Sequence, residues 1–114
     1  MKLSVFVRKR PLFEKEGREG QIDCVSVANP IIRVSEPRYK VDGITKFIEN
    51  HDTKFDNVFA GSETADVYNY SIKPLLANLF AGGIVTCFAY GQTGSGKTFT
   101  MVGIQNMAIR DMFR

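Results

Sequence analysis

Apolar and polar positions follow two regimes along this chain, and the change falls near residue 62. Before it the apolar runs are short and rich in β-branched residues; after it their spacing is helical. Lys2 to Arg8 reads as a strand that ends at Pro11, because proline donates nothing to a ladder and biases Arg10 towards extended geometry. Glu14 to Gln21, charged and glycine-bearing, is expected as a loop. Ile22–Val27 and Ile31–Val34 flank Ala28-Asn29-Pro30 and are expected to pair as a hairpin. Glu36–Lys40 and Ile44–Ile48 make a second expected hairpin around Val41-Asp42-Gly43, since Asp42-Gly43 is a dipeptide that tight two-residue turns favour. Phe55-Asp56-Asn57-Val58-Phe59 alternates apolar with polar and predicts one more half-buried strand.

Beyond residue 62, Tyr68, Ile72, Leu75, Leu76, Leu79 and Phe80 fall on one face of an amphipathic helix. Ser62 is the expected N-cap and Gly82-Gly83 the stop, with a kink rather than a break at Pro74. Ile84 to Ala89 is almost continuously apolar, the pattern of a strand buried on both faces of a parallel sheet. A glycine-rich turn and a second helix, Lys97 to Phe113, complete the order. Helix, buried strand, glycine-rich loop, helix is α/β wiring, so the predicted fold is a central, mainly parallel sheet flanked by helices, with small antiparallel hairpins towards the N-terminus. Ligands of such sheets sit beyond the carboxyl ends of the strands.

A length of 114 residues suits one domain but is short for a protein that must bind, sense and hydrolyse a nucleoside triphosphate. No apolar run approaches the eighteen or so residues of a membrane span, and the apolar start before Arg8-Lys9-Arg10 is too short for a signal peptide. Cys24 and Cys87 lie far apart in apolar stretches without metal-ligand spacing, so both are expected as reduced core thiols of a cytosolic protein. His51 stands in a polar stretch and is expected as a solvated loop residue. The formal net charge is +3, with basic residues bunched at Arg8-Lys9-Arg10 and Arg38-Tyr39-Lys40, which suggests an acidic partner.

The chemistry concentrates in Gly91-Gln92-Thr93-Gly94-Ser95-Gly96-Lys97-Thr98, which satisfies GxxxxGK[ST], the phosphate-binding loop. Gly91, Gly94 and Gly96 allow backbone conformations in which successive N–H groups turn inward around phosphate oxygens. The helix that starts near Lys97 adds its N-terminal dipole to the same anion site. Lys97 supplies a charge for the β- and γ-phosphates, and the Thr98 hydroxyl is the expected ligand of a bridging Mg²⁺. The motif lies between an apolar strand pattern and a helix pattern, as its mechanism requires.

With its neighbours, the segment Phe88-Ala89-Tyr90-Gly91-Gln92-Thr93-Gly94-Ser95-Gly96-Lys97-Thr98-Phe99-Thr100-Met101 resembles the phosphate loop of kinesin motor domains. Val7-Arg8-Lys9-Arg10-Pro11, the Phe55–Phe59 strand, and the helix with Pro74-Leu75-Leu76 before Gly82-Gly83 fall in kinesin order, so the resemblance spans nearly the whole chain. It implies ATP or ADP with Mg²⁺ as ligands, an adenine pocket built by Arg8, Arg10 and Pro11 with Tyr90 and Phe99 close by, and tubulin as partner. Glu36-Pro37-Arg38-Tyr39-Lys40-Val41-Asp42 further resembles the long hairpin of the internal-motor, microtubule-depolymerising kinesins. In that class the Lys-Val-Asp tip, here Lys40, Val41 and Asp42, engages tubulin and favours its curved form.

The resemblance makes residues 1–114 the N-terminal part of a motor domain, because nothing here matches the two γ-phosphate switch motifs or the main microtubule-binding helix. It implies a microtubule-stimulated ATPase when complete, inactive as this piece alone, located in the cytoplasm on the microtubule cytoskeleton, spindle or flagellar ends included. Met101-Val102-Gly103 runs almost directly into Ile104, so the loop that usually interrupts this helix is nearly missing. A transport kinesin shares every phosphate-loop residue and differs mainly at Lys40–Asp42. A non-catalytic nucleotide-binding interaction module is the alternative from another class. A nucleic-acid-binding P-loop protein fits the basic clusters less well, as no interleaved aromatic and basic stacking platform accompanies them.

Overall fold

In the computed structural model, residues 2–20, 22–61 and 63–113 are described. They form two compact units, Met1–Gly61 and Ser62–Arg114, each taken by itself below.

In the first unit, β1 (Phe6–Lys9) pairs in parallel with β5 (Asn57–Ala60), in the register Val7 with Val58 and Arg8 with Phe59. The strand expected at Phe55–Phe59 is present as β5, but its neighbours Val58 and Phe59 are both buried, so it is covered on both faces rather than half-buried. The strand starts two residues later than the pattern suggested, because Asp56 turns back to accept from the Val5 N–H at 2.6 Å, while its own N–H donates to the Val5 carbonyl at 3.0 Å.

The second sheet is an antiparallel meander, β2 (Val25–Ala28), β3 (Ile31–Tyr39) and β4 (Lys46–Lys54). The two expected hairpins thus share one long central strand. β3 continues through Pro37, which the sequence treated as part of a separate strand. Because β2 stops opposite Val34, β3 has an open edge beyond that point, where a missing N–H costs no ladder bond. The expected two-residue turn at Asp42-Gly43 is a longer loop, closed by Lys40 N–H to Thr45 carbonyl at 2.8 Å and Gly43 N–H to Lys40 carbonyl at 2.9 Å. β4 also extends past Ile48 and takes His51 out of the loop predicted for it, pairing it with Val34. There His51 Nε2 lies 2.9 Å from a Glu36 oxygen, and Glu36 faces Glu49 across the ladder. Arg38 offsets that like-charge pairing by bonding Glu49.

The expected loop at Glu14–Gln21 contains a short helix, α1 (Glu14–Arg18), while Gln21 itself lies outside the described residues. Phe13 is its N-cap, and the third helical residue, Glu16, reaches back to accept from the Phe13 N–H at 2.8 Å. That is half of a capping box, with no side-chain oxygen at the N-cap to make the reciprocal bond.

In the second unit, the single kinked helix expected up to Phe80 is three elements: α2 (Thr64–Ser71), a 3-10 turn (Lys73–Leu75) and α3 (Leu76–Phe80). Pro74 cannot supply the helical N–H, so the chain tightens into a 3-10 turn before resuming. Glu63 is the N-cap of α2; Ser62, the residue expected there, lies outside the described residues. The predicted helix from Lys97 is present as α4 (Lys97–Met112), sixteen residues without interruption. It packs on α2, where Val67, Tyr68 and Ile104 are buried. A Cβ on Gly103 would stand 2.6 Å from Thr64 Cγ2, so the glycine lets the two helices approach closely. Further along, the Tyr68 hydroxyl, on a ring only 2% exposed, donates to Asp111 Oδ2 at 2.6 Å. Tyr68→Phe removes this donor to a carboxylate and is expected to lower unfolding stability by about 1–3 kcal/mol. Urea denaturation measures it, and an unchanged midpoint would show that the bond contributes nothing to α2–α4 packing.

The buried strand expected at Ile84–Ala89 is not formed: residues 83–92 carry no regular structure, and Ile84 and Phe88 are 94% and 87% exposed. A strand gains its backbone bonds from a neighbour, and among the described residues no strand pairs with this segment. Cys87 is exposed with it, and Cys24, at the edge of the meander, is exposed as well, which corrects the expectation of core thiols.

Candidate functional site

α4 positions the phosphate loop. Its N-cap is Gly96, at φ 96° and ψ 13°, a left-handed conformation that side-chain-bearing residues rarely adopt. Lys97 is therefore the first helical residue, and the Thr100 N–H closes the first turn on the Gly96 carbonyl at 3.0 Å. Ahead of it, the Ser95 N–H donates to the Gln92 carbonyl at 3.1 Å and folds residues 92–95 into a turn. Gly91 closes the loop, since a Cβ there would meet Ser95 Oγ at 2.6 Å and Lys97 Cγ at 3.6 Å. The start of the Lys97 side chain, at Cγ, thus lies beside Gly91. Lys97 and Gly96 are half-buried; Gln92, Thr93, Gly94, Ser95 and Thr98 are exposed.

The electrostatics favour an anion here. The first turn of α4 holds no acidic residue, so its N–H dipoles are not neutralised from within. In the sequence, no Asp or Glu occurs between Asp66 and Asp111, a stretch that carries Lys73, Lys97 and Arg110. That long acid-free interval was a legible signal which motif reading passes over. The cradle that a Gly91 Cβ would fill, the half-buried Lys97 and the exposed Thr98 hydroxyl together fit a phosphate group with a hard divalent cation. The hydroxyl is an oxygen donor, which suits Mg²⁺.

Of the residues assigned to the adenine side, Arg8 lies in β1 opposite Phe59, and Arg10 and Pro11 follow the strand. Tyr90 and Phe99, in the other unit, are 102% and 71% exposed. Arg10 is tied down within its own unit: its Nη1 and Nη2 donate to Glu16 Oε1 and Oε2 at 2.7 and 2.9 Å, and its guanidinium lies 4.2 Å from the Phe13 ring centre. The Arg10 bonds, together with the Phe13 N–H, hold the Glu16 carboxyl down at about 2. Sequence reading missed both Phe13 and Glu16, although the spacing of a glutamate at the third position of a helix was there to find.

The third set, Lys40, Val41 and Asp42, occupies the loop between β3 and β4. Asp42 shapes it: Oδ1 accepts from the Ile44 and Thr45 N–H groups, each at 2.9 Å, and Oδ2 accepts from the Thr45 hydroxyl at 2.6 Å. The Thr45 hydroxyl first, then these two N–H groups, keep the Asp42 carboxyl below its usual range. Val41 is fully exposed and Ile44 nearly so, while Tyr39 and Phe47 flank a shallow depression beside Lys40. The tip is thus held by the Asp42 bonds and presents apolar side chains and a cation to solvent.

The family profile described as the kinesin motor domain matches residues 8–114. Among solved structures, one described as KIF14[391-755] with ADP in complex with a microtubule superposes with a TM-score of 0.68 and 28% sequence identity. The match covers 86% of this chain and 27% of that one, so this chain spans about a quarter of the length of the solved structure it resembles. The mixed parallel and antiparallel α/β architecture, the loop geometry at Gly91–Thr98 and the extent of these matches converge: the chain belongs to the kinesin motor domain family.

Proposed function

We propose that residues 1–114 are the nucleotide-binding part of a microtubule-based motor ATPase, and that this motor shortens microtubules rather than transporting along them. The observation that carries the first half is the Gly91–Lys97 cradle at the head of α4. Backbone N–H groups of the loop and the α4 dipole hold the β- and γ-phosphates, and Lys97 meets their charge as it accumulates on the transferred group. Thr98 would hold Mg²⁺ through its hydroxyl, and the ion, when bound, would supply positive charge against the phosphates. Gln92, Thr93, Gly94 and Ser95 line the loop. Arg8, Arg10, Pro11, Tyr90 and Phe99 are assigned to the adenine. ADP and a microtubule in the related KIF14 structure support ATP or ADP as ligand and tubulin as partner, and with them a location on the microtubule cytoskeleton.

The second half rests on the tip. A transport motor accounts for the phosphate loop equally well; what favours the shortening motor is the exposed Lys40-Val41-Asp42 at the end of the nine-residue β3 and β4, with its resemblance to the depolymerase tip. The deciding assay is ATP turnover by the intact protein with and without microtubules, at varied Mg²⁺. Turnover that microtubules raise is expected. None in either condition would favour the non-catalytic interaction module. In the same assay, Thr98→Ala should weaken Mg²⁺-dependent nucleotide binding about tenfold or more while Mg²⁺-free binding holds, because the hydroxyl serves the metal and not the phosphate. Equal losses under both conditions would make Thr98 only a helix-terminal residue.

A further inference from the structure

β3 and β4 bring three metal-ligating side chains to one face of the meander. Glu36 lies directly opposite Glu49, and His51 falls on the same face because strand side chains alternate. Among the described residues, a ring nitrogen of His51 and one oxygen from each of Glu36 and Glu49 all lie within 4.8 Å of one another. Two of them, His51 Nε2 and Glu36 Oε2, are already 2.9 Å apart. A tetrahedral Zn²⁺ holds nitrogen and oxygen ligands at about 2.0–2.2 Å, which sets the donor atoms about 3.4 Å from each other. The widest gap therefore closes by at most about 1.4 Å, within the reach of side-chain rotation by half-exposed glutamates.

We propose that Glu36, Glu49 and His51 form a binding site for a divalent transition-metal ion of the Zn²⁺ type, three protein ligands with water in the open position, and that the ion cross-links β3 to β4. The imidazole sets this group apart from a merely acidic patch. A nitrogen donor beside carboxylates suits zinc, nickel or cobalt, whereas Mg²⁺ and Ca²⁺ take oxygen alone. Both carboxylates are needed as anions, and Arg38, bonded to one Glu49 oxygen, holds that carboxyl below its usual range. A carboxylate has a second oxygen, so the arginine leaves Glu49 able to bind an ion. When Zn²⁺ binds at Nε2, it takes the place of the proton shared with Glu36, which passes to water. The position also gives the ion something to stabilise. β2 ends opposite Val34, so at Glu36 the sheet is a two-stranded ribbon, the form least able to hold itself together. Half-exposed ligands admit the ion from solvent and leave the site open, which corresponds to a Kd of about 1 μM rather than the affinity of a closed structural centre.

The test is calorimetric titration of the intact protein with Zn²⁺ in excess Mg²⁺, without nucleotide, so that oxygen-lined sites are already filled. His51→Ala and Glu36→Gln should each weaken zinc binding about tenfold or more. Glu36→Gln keeps an oxygen that accepts from His51, so the face retains its shape while losing an anion. Cys24→Ser combined with Cys87→Ser should bind as wild type does, which separates this site from the two exposed thiols. A melting curve for each variant reads the fold, and Zn²⁺ should raise the wild-type midpoint more than that of His51→Ala. His51 is the one histidine in these 114 residues, so its imidazole proton resonances in the unaltered protein should shift as zinc is added. No zinc binding by wild type, binding that survives in His51→Ala, binding lost with the two cysteines, or a His51 resonance that zinc leaves in place overturns the site.

Discussion

Lys97→Ala is expected to lower the affinity of the intact protein for Mg²⁺-ATP at least about a hundredfold. The estimate follows from two charge-assisted contacts, one to each terminal phosphate, at about 1.5–3 kcal/mol apiece and 1.4 kcal/mol per factor of ten. The other sources of anion attraction at the loop are smaller. A helix N-terminus contributes about 0.3–1 kcal/mol at exposed sites, so the α4 dipole alone does not make up the loss. Folding should not suffer in parallel. Lys97 is half-buried at the first position of α4, where alanine is at least as good a helix former, and the start of its side chain lies beside Gly91. Isothermal titration calorimetry reads the affinity and a thermal melt reads the fold. Undiminished binding by a folded variant would remove the phosphate loop from the mechanism.

Lys40→Ala combined with Val41→Ala is expected to abolish microtubule shortening by the intact motor while basal ATP turnover and melting temperature remain at wild-type values. Exposed turn substitutions usually change stability by within about 0.5 kcal/mol, whereas an interface anchor costs 2 kcal/mol or more of binding. Val41 is fully exposed, so its truncation opens no cavity. Asp42 is deliberately retained. Its carboxylate accepts three bonds from Ile44 and Thr45, each worth about 1 kcal/mol, so alanine there would disorder the tip and confuse lost contact with lost shape. The share owed to Lys40 should fall as salt rises, because it meets an acidic surface across solvent. Microtubule length against time, with the ATPase rate alongside, decides the matter. Shortening at the wild-type rate would return the protein to the general motor class.

Local chemistry made several features legible in the sequence. The glycine spacing of Gly91–Thr98 and the start of α4 at Lys97 are consequences of backbone freedom and helix termination within a few residues, and the structure has them where the pattern put them. The existence of β1, β5 and the strands around Asn29-Pro30 was likewise readable from their β-branched runs, but not their starts: β1 begins at Phe6 rather than Lys2 and β2 at Val25 rather than Ile22, where pairing begins. That Ile31–Val34 and Glu36–Lys40 are one strand was not readable, since only the tertiary pairing shows that β2 reaches no further than Val34 and leaves Pro37 no ladder bond to lose.

Long-range partners decided the rest. Ile84–Ala89 has the composition of a buried strand, yet composition supplies no neighbour, and without a ladder the segment stays irregular and exposed. His51 is exposed, as expected, but lies in a strand rather than a loop, and its carboxylate company, Glu36 and Glu49, is brought to it by β3–β4 register rather than by sequence proximity. The break after Ser71 reflects the competition between a lost bond at Pro74 and packing that periodicity does not weigh. The basic run Arg8-Lys9-Arg10 announced charge, but that Lys9 would bond Asp23 and the Val25 carbonyl while Arg10 would be clamped flat by Glu16 follows from where the chain turns after Pro11. A sequence shows which residues carry chemistry when the constraint is local. The orientation of a charge depends on groups brought to it by the fold, and those are set by tertiary structure alone.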